Sequence, residues 1–121
     1  MILVVDDNTL NRMILMKLIR HMGLTGYTAT NGNEAILAVK EKNEINLVLM
    51  DLMMPVMDGY EATRKIRAFK SIESLPIIAV TADATEGLKE RCQEAGCNEF
   101  ITKPIRKDVI EQVLKKYLGM I

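Results

Sequence analysis

Asp6-Asp7, Asp51, Thr81 and Lys103 each follow or close a hydrophobic run. Ile2-Leu3-Val4-Val5 ends in the acidic pair, Leu47-Val48-Leu49-Met50 in the single acid, Ile77-Ile78-Ala79-Val80 in the hydroxyl, and Phe100-Ile101-Thr102 in the lysine. If these runs are strands of one parallel sheet, their carboxyl ends share an edge, which is where open α/β sheets bind ligands. Three carboxylates, one ammonium and one hydroxyl would then meet in one pocket. Neighbouring carboxylates repel by about 4 kcal/mol per pair at an effective dielectric of about 20, so the group calls for a cation or a chemical use. With Asp6, Asp7 and Asp51 ionised and Lys103 charged, the site carries −2, which one Mg²⁺ would neutralise. Magnesium binds through one or two carboxylates, keeps several waters and accepts phosphate oxygens as further ligands. A carboxylate beside such an ion and a lysine is a nucleophile for a phosphoryl group, whose transfer depends on positioning and charge neutralisation. Each feature alone has a plainer account, because an Asp after a strand often caps a helix and Lys-Pro often opens one. The coincidence at strand ends carries the reading.

The rest of the chain supplies what would position them. Strand-like runs alternate with helical patterns throughout. The first helix is expected over Thr9–Met22, with Leu10, Ile14, Leu18 and His21/Met22 on one face and Gly23 as its stop. A weaker strand covers Tyr27–Thr30, and Asn31-Gly32-Asn33 forms a turn in which Asn33 caps a helix through Asn43. Asn46–Asp51 is the third strand, and the loop Met53–Gly59 leads to a helix through Phe69. Pro76–Val80 is the fourth strand, Thr85–Ala95 a helix ended by Gly96, and Asn98–Thr102 the fifth strand. The last helix carries Val109, Ile110, Val113, Leu114, Tyr117 and Leu118 as its stripe. Repeated βα units imply a parallel sheet covered on both faces, wound by right-handed crossovers. Strands one, three and four are continuously apolar, as strands buried on both faces are. Strands two and five are shorter and more polar, hence edges. The order 2-1-3-4-5 follows, which sets Asp51 beside Asp6 and Asp7.

Composition narrows the function. The chain has 121 residues, 49% hydrophobic and 26% charged, ordinary for one soluble domain. Lys+Arg and Asp+Glu are both 16, so no long-range field favours nucleic acid or an anionic membrane. No apolar run approaches the roughly 20 residues that span a bilayer, and the opening residues lack a signal-peptide pattern; a cytoplasmic location is expected. Cys92 and Cys97 lack zinc spacing and read as free, partly buried thiols. His21 reads as a surface residue near a helix end, and the basic run Arg64, Lys65, Arg67 and Lys70 as a solvated face.

Val4-Val5-Asp6-Asp7-Asn8, Leu49-Met50-Asp51-Leu52-Met53-Met54-Pro55-Val56-Met57-Asp58-Gly59, Val80-Thr81-Ala82 and Phe100-Ile101-Thr102-Lys103-Pro104-Ile105 resemble the receiver domain of two-component response regulators, and the likeness covers the whole chain. The wording around Asp51 and Lys103 is most similar to receivers attached to hybrid histidine kinases. The resemblance implies a single receiver domain over 1–121 with a flavodoxin-like (βα)5 fold. It implies that Asp51 accepts a phosphoryl group from a partner's phosphohistidine. Asp6 and Asp7 would be the acidic pair at a Mg²⁺, with Asp51 and the Met53 backbone carbonyl as further ligands. Thr81 would be the switch hydroxyl, Lys103 the contact to the phosphoryl oxygens, and Phe100 the switch aromatic. The Lys103–Pro104 bond would be cis. Partners would be a histidine kinase or a histidine phosphotransfer domain, with an output domain or a second copy meeting the face of the fourth helix, fifth strand and fifth helix. That face includes Ala84–Glu90 and Arg106. Neither nucleic acid nor membrane would be bound directly. The domain would phosphorylate itself and lose the group by Mg²⁺-dependent autodephosphorylation, without turning over an external substrate.

Three other readings start from the same residues. A Mg²⁺-dependent aspartyl phosphohydrolase would place its nucleophile and a second Asp two apart after the first strand, whereas here the acids are adjacent and the lone Asp lies on the third strand. A flavin-binding protein would carry a Ser/Thr/Gly-rich loop after the first strand, where this chain has acids. An unphosphorylated interaction module is the fourth reading.

Overall fold

Five parallel strands form one sheet in the order β2-β1-β3-β4-β5. The structure is a computed structural model that describes residues 1–83 and 85–119. In chain order the elements are β1 (Ile2–Val5), α1 (Thr9–His21), β2 (Gly26–Ala29), α2 (Gly32–Glu41), β3 (Leu47–Asp51), α3 (Gly59–Arg67), β4 (Ile77–Thr81), α4 (Leu88–Ala95), β5 (Glu99–Thr102) and α5 (Lys107–Leu118). The architecture is the expected flavodoxin-like one. β1, β3 and β4 are buried along their whole length, while β2 and β5 carry exposed or half-buried residues at the edges.

Strand alternation divides the core into two layers. Leu3, Val5, Val48, Met50, Ile77 and Ala79 point to the side of α2, α3 and α4, where they meet Ala35, Ile66, Leu88 and Cys92. Ile2, Val4, Leu47, Leu49, Ile78 and Val80 point the other way, onto Leu15 and Ile19 of α1 and Ile110 and Leu114 of α5. Full burial of side chains of this size stabilises by about 1.5–3 kcal/mol each, which fixes the register. Val5 pairs with Met50, so Asp6 and Asp51 occupy the next rung side by side. Among the described residues no helix is long and apolar enough to cross a membrane.

Three local expectations are corrected. In α1 the buried residues are Leu15 and Ile19, whereas Leu10 is 63% and Ile14 39% exposed. The helix carries apolar residues on more than one side, and the stripe nearest β1 and β3 is the one that docks. Asn31, not Asn33, caps α2: its side chain accepts from the Glu34 amide at 2.8 Å, while Glu34 Oε1 reaches back to the Thr30 amide at 2.7 Å. α4 begins at Leu88 and not at Thr85, because Gly87 is left-handed at φ 85° and breaks the right-handed spiral. Ala84 of the expected response surface lies outside the described residues.

Arg67 also departs from the solvated face expected for its basic run. It is half-buried, and its Nε donates to the Gly96 carbonyl at 2.7 Å, its Nη1 to the Ser71 and Leu75 carbonyls at 2.9 and 2.8 Å, and its Nη2 to Asn98 Oδ1 at 2.8 Å. One guanidinium thus ties the end of α3 to the α3–β4 loop, the end of α4 and the start of β5. Burial lowers its pKa, opposed by Cys97 and Glu73. Cys92 and Cys97 are free and buried, and His21 is exposed.

Candidate functional site

The acidic group assembles because β1 and β3 end on the same rung. Oxygens of Asp6, Asp7 and Asp51 all lie within 4.8 Å of one another. Asp6 is 1% and Asp51 3% exposed, while Asp7 faces solvent. Asp6 is held from two directions: Oδ1 accepts the Asn8 amide at 2.9 Å and Oδ2 the Lys103 ammonium at 3.3 Å. Its backbone carbonyl accepts Arg12 Nη1 at 2.7 Å. Asn8 also caps α1 through Asn11, so α1 starts immediately beside the acids.

Asp51 shares Lys103 with Asp6. Its Oδ1 lies 3.6 Å from the ammonium and accepts the Met53 amide at 3.3 Å. Oδ2 has no protein donor among the described residues. Burial pushes the Asp51 carboxyl up to about 6; Asp6 and, less strongly, Asp7 push the same way, against Lys103 and the Met53 amide. A carboxylate deprotonated at neutral pH, with a second and third carboxylate within 4.8 Å, suits a hard divalent cation. An all-oxygen donor set of this kind matches magnesium rather than a thiophilic metal.

The loop after β3 is shaped around Asp51. Asp58 caps α3 through the Glu61 amide at 2.9 Å, and the Gly59 amide donates to the Leu52 carbonyl at 3.0 Å. A Cβ on Gly59 would run into the Asp51 carbonyl oxygen and lie 2.8 Å from Leu52 Cα. Between them Pro55 and Met57 close a tight turn, Met57 amide to Pro55 carbonyl at 2.8 Å, with Val56 at φ 69° and 93% exposed. A β-branched residue there is strained. Met53, 60% exposed, stands on the same loop.

Thr81 and Lys103 come from the other side. Thr81 is fully buried, and its Oγ1 accepts the Asp83 amide at 3.1 Å. Its backbone carbonyl accepts the Lys103 amide at 2.7 Å. The Lys103–Pro104 bond is cis, as expected. Phe100 pairs with Ala79, two residues before Thr81 along β4, so Phe100 and Thr81 project from the same face of the sheet. Phe100 is half-buried against the core on the α4 side and lines a hollow of about 250 Å³ with Pro104, Arg106 and Val109.

Every expected site residue except Phe100 therefore meets at the carboxyl edge, with Phe100 one step removed. Arg12 and Asp83 were not singled out by sequence, and Asn8 and Gly59 entered only as members of the quoted motifs, with no role assigned. Asn8 carried a usable signal, a helix-capping side chain directly after the acidic pair. Arg12, Gly59 and Asp83 act through backbone atoms distant in sequence or turn geometry, which residue type does not disclose.

Comparison with known proteins gives one family. The profile described as "Response regulator receiver domain" matches residues 2–115. The chain is 44% identical over 117 residues to sensor histidine kinase RcsC of Escherichia coli K12, covering 97% of this chain and 12% of that protein. It is 42% identical over 119 residues to hybrid signal transduction histidine kinase M of Dictyostelium discoideum, covering 95% of this chain and 5% of that one. It thus spans about an eighth or less of these relatives. Among solved structures it is similar to the receiver domain of a Pseudomonas aeruginosa sensor histidine kinase with a magnesium ion coordinated in the active site cleft, at TM-score 0.88 and 35% identity over 98% of this chain and 96% of that one. It is also similar to the Saccharomyces cerevisiae receiver domain of Ssk1, crystallised with the histidine phosphotransfer protein Ypd1, at TM-score 0.87 and 30% identity over 96% and 86% of the two chains.

Proposed function

The chain belongs to the response regulator receiver domain family, and we propose that Asp51 is its phosphoacceptor, charged by a phosphohistidine of a partner protein. It is a receiver domain of two-component signalling, homologous to receivers of hybrid and sensor histidine kinases. The observation that carries the Asp51 reading is one carboxylate, 3% exposed, with Oδ1 engaged by Met53 and Lys103 and Oδ2 left without a protein donor among the described residues.

In this reading an Asp51 oxygen attacks phosphorus, the P–N bond breaks with its electron pair left on the imidazole nitrogen, and the new O–P bond is an acyl phosphate. Asp6, Asp7 and Asp51, with the Met53 backbone carbonyl, would hold a Mg²⁺, which supplies positive charge against the carboxylates and the phosphoryl oxygens. Lys103, already within 3.6 Å of Asp51, neutralises the remaining charge. The Thr81 hydroxyl turns toward the phosphoryl oxygens, and Phe100 rotates into the space it leaves. Burial of a ring contributes about 1.5–3 kcal/mol when complete, enough to move a two-state equilibrium tenfold or more. The readout surface is α4, β5 and α5, where an output domain or a second copy would bind.

The donor is a histidine kinase or a histidine phosphotransfer domain, as the complex of the Ssk1 receiver with Ypd1 suggests by likeness. Residues 1–121 work as one receiver unit in the cytoplasm, without turnover of an external substrate; the kinase activity of the longer relatives is theirs. Incubation with a phosphohistidine donor and Mg²⁺, followed by intact mass measurement, tests this. Wild type should gain one phosphoryl group and Asp51→Asn none; equal labelling of both would overturn the assignment.

A further inference from the structure

β2 is an edge strand, and its outer side is open. The Thr25 and Ala29 carbonyls accept from the Ile2 and Asp6 amides, toward β1. By the two-residue period of a strand, Gly26 and Thr28 turn their N–H and C=O groups away from the sheet. No partner for these groups occurs among the described residues. The next outward amide, that of Thr30, is closed off by Glu34 Oε1 at 2.7 Å.

Two grooves flank this edge, one on each face of the sheet, and Thr28 lines both. The groove on the α1 side measures about 720 Å³, and Met13, Met16, Lys17 and Arg20 line it with no carboxylate. Arg12, at its end, is committed to the Asp6 carbonyl at 2.7 Å and Thr9 Oγ1 at 3.1 Å. Lys17 and Arg20 are exposed and meet no acidic side chain among the described residues. The groove on the α2 side is different: Leu37, 54% exposed, sits there with Glu34 and Glu41, and Lys42 lies 4.6 Å from the Tyr27 ring.

Some of this has a plain cause. Gly26 is required by Met16, whose Sδ would be 2.6 Å from a Cβ, so that glycine says nothing of a ligand. A short edge strand is also an ordinary protection against pairing. Neither accounts for unpaired backbone bordered on one face by methionines and by Lys17 and Arg20 without a carboxylate among the described residues, and on the other by Glu34, Glu41, Lys42 and an exposed leucine. Strand addition draws affinity from main-chain hydrogen bonds and specificity from pockets for alternate side chains. We propose that β2 takes up an extended acidic segment of a partner protein, its carboxylates facing Lys17 and Arg20 and its alternate apolar side chains facing Leu37. Charge selects this occupant over a second copy. Two β2 edges paired about a two-fold axis would bring two sets of α1 cations together on one face. Nucleic acid would leave the Gly26 and Thr28 backbone groups unpaired by a strand. The proposal does not depend on the Asp51 reading.

The test is an NMR titration of the isotope-labelled chain with the capped peptide Glu-Val-Glu-Val-Glu and its counterpart Lys-Val-Lys-Val-Lys. Binding of the acidic peptide should shift the Gly26 and Thr28 amides and slow their exchange. Lys17→Glu/Arg20→Glu, at two exposed positions that leave folding intact, should weaken binding at least about tenfold. Thr28→Pro, which removes the outward amide, should weaken it as well, and if that variant unfolds the charge-reversal pair decides. The proposal is overturned by no binding at millimolar peptide, by equal binding of the lysine peptide, or by binding that leaves the Gly26 and Thr28 amides unchanged. It is also overturned if the free chain dimerises through these residues, or if an oligonucleotide perturbs them more strongly than the acidic peptide.

Discussion

The Lys103 ammonium lies 3.6 Å from Oδ1 of Asp51 and 3.3 Å from Oδ2 of Asp6, so one cation offsets the repulsion between the two carboxylates. Lys103→Ala should therefore destabilise the metal-free protein by about 2 kcal/mol, less than the loss for a deeply buried pair because the edge is open to water. The same change leaves a more negative site, so Mg²⁺ should bind several-fold more tightly than to wild type. Thermal melts in chelator and a Mg²⁺ titration check both; weaker Mg²⁺ binding by the variant would show that Lys103 helps hold the ion.

Asp51 makes stability depend on pH in an unusual direction. Its folded pKa of about 6 is above the ordinary 3.8, so the fold holds the proton more tightly than the unfolded chain does. Its contribution is present below the unfolded value and is lost as pH rises through the folded one. Asp51→Asn should thus be about 2–3 kcal/mol more stable than wild type at pH 8 without Mg²⁺. The gap should close below pH 4 and narrow on adding Mg²⁺. Paired denaturant titrations across pH would reveal a constant gap if burial of Asp51 has no such effect.

Thr81→Ala should still accept a phosphoryl group, because among the described residues the hydroxyl bonds the Asp83 amide and not Asp51. Its chemical-shift changes with a phosphoryl mimic should remain near Asp51 and fade at Phe100 and α4. Distant shifts equal to those of wild type would remove Thr81 from the route.

Gly59→Ala should cost about 2–3 kcal/mol through forced separation of α3 from the end of β3, since its Cβ meets main-chain atoms that cannot rotate aside. Phosphoryl acceptance should drop as well, because those atoms belong to Asp51 and Leu52. A melting temperature equal to that of wild type would mean the loop relaxes freely.

Burial pushes the Cys97 thiol up to about 12, and Cys92 is raised by the same cause. Both should resist an aromatic disulfide reagent at pH 8 in the native protein and react only as guanidinium unfolds it. Prompt reaction of native protein would indicate that α4 opens readily.

The sheet order was legible because two-sided burial leaves continuous apolar runs and edges do not. The site was legible because β1, β3 and β4 deliver Asp6, Asp51 and Thr81 at one edge, and that follows from strand ends alone. The docking face of α1 was not legible, since Leu10 and Ile14 have the same periodic spacing as Leu15 and Ile19 and only the position of the sheet separates them. The start of α4 depended on the sign of φ at Gly87, and the part played by Arg67 on carbonyls brought near by folding. Residue type records neither.

The Arg67 carbonyl cage fixes one end of α4 more firmly than the other. It grips the helix at Gly96, its C-terminal end, while the N-terminal end has no side-chain cap among the described residues and meets a left-handed glycine. A rod held at one end pivots there. α4 has 8 residues and is about 12 Å long, so a tilt of about 10° about Gly96 displaces its amino end by about 2 Å, on the helix dimensions alone. That end, held by the buried Leu88 and by Arg91 on Tyr60 and Thr85, is the one that follows Thr81 in the chain. In the proposed switch, a small turn of the Thr81 hydroxyl would enter where the lever arm is longest, and the fulcrum would be a single arginine at the amino end of the strands, on the same face of the sheet as α4.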